Sequence, residues 1–158
     1  MFLQAIASFI STAGFAVIFN IPRREIVFSA ITGMLGWLTY ILLRNDGTSV
    51  MIASFVGALV VGLAGEIMAR FRKQPGTLFV VPGIIPLVPG YGLYHAMSQV
   101  IENNYEQAAK IGTDTLLIAV AIASGVIITS YLGRILKYFI VTRKSPLRMK
   151  LKRKKKVI

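Results

Sequence analysis

Apolar residues gather into runs of about 20, the length that crosses a hydrocarbon core, and such runs recur along almost the whole chain. The first goes from Phe2 to Phe19 and stops at NIPRRE, where Pro22 and three charges follow Asn20. The second, Ile26 to Leu43, ends at the turn-like RNDG of Arg44 to Gly47, and the third, Thr48 to Ala69, ends in RFRKQPG. The fourth, Thr77 to Ile101, contains the proline-rich VVPGIIPLVPGYG. Glu102 to Asp114 is polar and predicts a short surface helix before a fifth run, Thr115 to Val141. The pattern predicts an all-α polytopic membrane protein whose transmembrane domain, residues 1–141, holds spans at 2–19, 26–43, 48–69, 77–101 and 115–141. A basic cytoplasmic tail, 142–158, follows. The bulky FNIPRRE after the first run is not a small-residue cleavage site, so the first run reads as a retained helix.

Composition agrees: 55% of residues are hydrophobic and mean hydropathy is +0.68, too apolar for a soluble domain. The net charge of +12 does not point to nucleic acid, because half of the basic residues crowd into the last sixteen positions. The charge reads first as topology. Along the chain the connections carry Arg23 and Arg24, then Arg44 alone, then Arg70, Arg72 and Lys73, then Lys110 alone, then the tail. Basic-rich and basic-poor connections alternate, which predicts the N-terminus outside and the C-terminus inside. The tail attracts anionic lipid headgroups, at about 1 kcal/mol per basic residue near the surface. With no cysteine and a single histidine, neither a disulfide nor a metal cluster is expected, and no cofactor.

The prolines of the fourth run are its anomaly, since each removes a backbone N–H where lipid supplies no substitute. Residues before proline avoid helical geometry, so Val81, Ile85 and Val88 are expected to be extended, and Gly83 and Gly90 to permit turns. The span should be interrupted. Interrupted backbone survives at membrane depth where protein buries it or where it borders a watery cavity, and a helix restarting near Gly90 would offer free N–H groups to a carboxylate. A kinked span whose prolines only shape packing is the alternative. Small residues at close-packing intervals predict helix contacts: Ser29, Gly33 and Gly36; Ala53, Gly57, Gly62 and Gly65; Gly125, Ser130 and Gly133.

Few polar groups lie inside the runs. Glu66 is a candidate coupling residue, although an ion pair with Arg70, four residues on, is the plainer reading. Asp114, after Gly112 and Thr113, suits the N-terminus of the fifth span as a cap, with coupling as the alternative. His95, beside Tyr91 and Tyr94, is either a proton relay or part of an interfacial aromatic belt. Ser98 stands three residues from His95 without an orienting third group, so hydrolase chemistry is not expected. Trp37 and Tyr40 read as interface anchors, and Asn20 as a turn cap or a residue facing a pathway.

The early GFAVIFNIPRRE and the later PGIIPLVPG resemble the small subunit of the threonine/serine exporter family, in which a GFAxxFN-[IV]-P-x-R turn and a P-x-[IV]-I-P-[LM]-x-P-G core occur together. The resemblance runs up to the fifth span and leaves out the lysine-rich end after Val141. It implies a non-enzymatic exporter of the cell inner (plasma) membrane, with this chain as the small part and a larger membrane subunit as partner. It further implies a proton-driven export of threonine and serine, with a related branch moving dicarboxylates such as succinate. The motif positions are Asn20 and Pro22 in the first turn and Pro82, Ile85, Pro86, Pro89 and Gly90 in the broken span, with Gly83 between them. The expected mechanism is alternating access around the broken span, packed on by spans three and five; an inverted partner, a channel-forming homo-oligomer and a non-transporting assembly scaffold remain open.

Overall fold

The structure is a computed structural model that describes the backbone of residues 1–154 and the side chains of residues 1–133 and 135. The described chain is helical throughout: α1 Phe2–Ile18, α2 Arg23–Asn45, α3 Val50–Arg72, α4 Thr77–Gly83, α5 Gly90–Ile101 and α6 Tyr105–Lys154, with a 3-10 turn at Ile85–Leu87. Three helices are long and apolar enough to cross a membrane: α2, α3 and the Tyr105–Gly133 part of α6. The α4–turn and α5 pass the same test together as one span bent by 48°. α1 is apolar but, at 17 residues, about 26 Å long, slightly under the hydrocarbon thickness. The chain is a polytopic membrane protein. The side chains of the basic tail lie outside the described residues.

Helix ends are built by a repeated device. After α1, α2, α3 and α5 a single residue takes the left-handed conformation: Asn20 (φ 55°), Gly47 (φ 81°), Lys73 (φ 54°) and Asn103 (φ 62°). The following N–H then reaches back to a carbonyl of the last turn, as in Ile21 to Ala16, Thr48 to Leu43, Gln74 to Ala69 and Asn104 to Gln99. These are Schellman closures, which satisfy the carbonyls a helix end leaves free. Asn20 is therefore a left-handed turn residue, and it is exposed.

The small-residue stripes lie at helix crossings, where lipid offers no driving force except close packing. A methyl group added at Gly33 would run into Thr12 of α1; one at Gly36 would meet Val61 and the Gly57 carbonyl of α3. α3 meets α6 where Gly62 faces Thr129 and where Gly125 would bring a methyl within 2.9 Å of the Phe55 carbonyl. Ala58, Val61, Val80, Leu87 and Ile122 form the buried centre. Trp37 and Tyr40 are stacked at 5.1 Å and, partly buried, pack against this centre.

Spans three and five pack on the fourth as expected, α3 on α4 and α6 on α5, and α4 also packs on α2 and α1. Other expectations change. α6 begins at Tyr105 and runs unbroken through Thr115, because the polar stretch 105–114 has no proline and continues the same hydrogen-bond ladder. Asp114 is thus inside a helix, exposed, and caps nothing. Val81 and Ile85 are helical rather than extended, and Gly83 and Gly90 keep negative φ.

Candidate functional site

The break is narrower than the proline pattern suggests, because two of the three prolines stand where a missing N–H is harmless. Pro86 is in the first turn of the 3-10 segment, and Pro89 is the residue before α5; neither position needs an intrahelical donor. Helical geometry is lost only at Val88 (ψ 99°) and Pro89 (φ −38°, ψ 49°). Gly90 then opens α5, its N–H turned back to the Val88 carbonyl.

Pro82 is different, since it lies inside α4 and cannot donate to the carbonyl of Leu78, four residues earlier. The Ser29 hydroxyl on α2 donates to that carbonyl at 2.7 Å. An orphaned carbonyl shielded from water would be unfavourable by several kcal/mol, so the bond from α2 makes the proline tolerable. Gly83 completes the fit, since a methyl group added there would run into Val61 and press on Thr32 and the Gly33 backbone.

Before the break the span buries one face and leaves Val81 43% exposed; after it the chain is more open. Phe79, Val80, Pro82, Gly83 and Leu87 are buried among α1, α2 and α3. Val88 is 44% exposed, Gly90 has open space around it, and Tyr91, Leu93, Tyr94 and Met97 of α5 are exposed. Leu87 touches Gly57, which meets Gly36, so the break lies near the middle of α2 and α3.

The other sequence candidates do not converge there. Asn20 lies at the α1–α2 turn, and α2 puts roughly 20 Å between its own start and the level of Gly36. Glu66 is half-buried on α3 between Gly76 and Gly133; the expected pair with Arg70 is not formed, and Arg70 Nη2 instead donates to the Gly133 carbonyl at 3.1 Å. His95 stacks on Tyr91 with ring centroids 5.7 Å apart. Ser98 donates to Glu102, and with Gln99 and Asn104 forms a polar knot at the α5–α6 turn rather than any partnership with His95. Among the described residues no group of three or more histidine, aspartate or glutamate side chains could hold a metal.

The strongest polar contact was not singled out from the sequence. Glu25, only 4% exposed at the start of α2, receives Arg72 Nε and Nη2 of α3 at 2.9 Å each, and the guanidinium lies 4.6 Å from the Phe28 ring centroid. In NIPRRE, Glu25 looks like one more boundary charge. Its one signal was being the acid among clustered arginines at an end where α3 also finishes in basic residues.

A family model described as Threonine/Serine exporter, ThrE, matches residues 4–132. No solved structure matches the chain. The matched residues include both motif segments, the α1–α2 turn and the broken span, and stop before the lysine-rich end. The chain belongs to the threonine/serine exporter family, a family of membrane transporters rather than enzymes.

Proposed function

We propose that the chain is the small membrane subunit of a secondary exporter of threonine and serine, working with a larger membrane subunit. The observation that carries this reading is an interruption at Val88–Pro89, near mid-bundle, inside the segment matched to the exporter family. Interrupted backbone in a bilayer needs protein or water around it, and here the residues before the break bury one face whereas Val88 and the start of α5 are open. Solute would pass along the open flank at Val88–Gly90, where the Tyr91 and Gly92 N–H groups in the first turn of α5 favour a carboxylate, the group that threonine, serine and succinate share. Alternating access would exchange the open flank for the sealed one.

In this reading Pro82, Gly83, Ile85, Pro86, Pro89 and Gly90 border the pathway. Asn20 shapes the turn at the sealed end, and Glu66 and His95 are the coupling candidates; Asp114, exposed on α6, is the weakest of them. The alternation of basic connections supports the N-terminus outside and the C-terminus inside.

A second reading, an assembly scaffold, is favoured by the burial of Pro82 and Gly83, which could serve packing alone. Efflux of labelled serine, threonine and succinate separates them, measured from cells carrying this chain with and without the larger subunit, with and without an imposed proton gradient. Export needing both chains and accelerated by the gradient is expected. Partner assembly that depends on this chain, with flux unaltered by changes at the break, would establish the scaffold; succinate moved in preference to threonine would place the chain in the dicarboxylate branch.

A further inference from the structure

We propose that Ser29 is the positioning residue of the broken span: its hydroxyl replaces the amide hydrogen that Pro82 lacks and thereby sets α4 against α2 in the arrangement transport requires. The inference rests on the reading of this break as the border of the pathway. Four observations lead to it. Leu78 is the residue four positions before Pro82, so its carbonyl is the one that proline leaves without a helical donor. Ser29 is fully buried and bonds that carbonyl at 2.7 Å. Other buried hydroxyls behave differently: Thr12, Thr32, Thr115 and Thr129 each donate to a carbonyl of their own helix. Finally, one turn before Ser29 the carboxylate of Glu25 holds Arg72, just ahead of the loop that leads into α4.

Packing alone does not account for a serine here, since alanine would fill nearly the same space. A hydroxyl is needed only while residue 82 is proline. That dependence is specific. Pro82→Ala returns an N–H to the helix, and the Leu78 carbonyl then no longer depends on α2.

The experiment is a double-mutant cycle in the exporter assembled with its larger subunit. Labelled threonine efflux is measured per assembled molecule for wild type, Ser29→Ala, Ser29→Cys, Pro82→Ala and the Ser29→Ala/Pro82→Ala pair. Ser29→Ala is expected to lower maximal turnover at least fivefold with the half-saturating threonine concentration unchanged, and Ser29→Cys, a weaker donor, to fall between. In the Pro82→Ala background Ser29→Ala should change turnover less than twofold. Equal turnover per molecule for wild type and Ser29→Ala overturns the proposal, as does an equal fold-loss in both backgrounds. Where Ser29→Ala does not assemble, the Pro82→Ala pair and thermal melting in detergent still complete the cycle, and additive melting losses overturn the bond. A wild type that moves no threonine, serine or succinate defeats the transport reading instead, a result distinct from a transporting wild type indifferent to Ser29.

Discussion

Among the described residues Lys73 is the one left-handed helix terminus without glycine or asparagine, the residues that adopt positive φ most readily. Its side chain is exposed and makes no hydrogen bond or ion pair recorded among the described residues, so the backbone conformation is its main burden. Lys73→Gly is expected to stabilise the fold by about 1 kcal/mol, the strain a side chain carries in that region. Thermal melting in detergent measures it; a variant no more stable than wild type would show the turn to be unstrained. Asn20 and Gly47 were legible as turn residues because their chemistry is local, whereas Asn103 fell inside a stretch read as helix. Glu25 was not, because what makes it distinctive is Arg72, 47 residues away, and a single sequence does not show which charges meet. Glu25→Gln should lower stability by about 2 kcal/mol, less than for a wholly buried pair because the Arg72 side chain is 35% exposed. Restoration by the exchanged pair Glu25→Arg/Arg72→Glu would separate the ion pair from simple packing.

At the scale of elements, one helix tests how far glycine serves packing. Gly125 and Gly112 both lie in α6, yet a methyl at Gly125 would approach the Phe55 carbonyl and the Leu59 nitrogen of α3, whereas Gly112 has open space around it. Backbone cannot move aside as a side-chain tip can. Gly125→Ala is therefore expected to destabilise by about 1–3 kcal/mol, as overpacking does, while Gly112→Ala gains about 0.5–1 kcal/mol from helix propensity. Opposite shifts in melting temperature, compared in the same detergent, check the pair; two shifts of the same sign would mean the α3–α6 crossing yields. The stripes of small residues were readable in the sequence because spacing on a helix is a local property, but their partners were not. Periodicity likewise missed the start of α6, since a polar helix and an apolar span joined without a proline form one continuous ladder. The proline segment misled in the opposite direction. Counting prolines suggested a long loss of helix, but the helix tolerates proline at its ends and wherever a neighbour supplies the missing donor, as Ser29 does for Pro82.

Across the whole molecule, burial is distributed unevenly about the break. Between Phe79 and Leu87 the chain buries Phe79, Val80, Pro82, Gly83 and Leu87 against α1, α2 and α3 while Val81 stays exposed, and the end from which α4 departs is tied by Glu25 and Arg72. Beyond Val88 the chain turns outward and packs on α6. The outward flank faces either lipid or water, and the two differ chemically, because a thiol reacts through its thiolate, which forms in water and not in hydrocarbon. The chain has no cysteine, so a single introduced one reports alone. If the flank borders a solute pathway, Val88→Cys should react with a charged, water-soluble maleimide at least tenfold faster than Phe79→Cys on the enclosed side, and threonine should slow that reaction. Equal, negligible rates at both positions would place Val88 in lipid and leave the bend a packing feature.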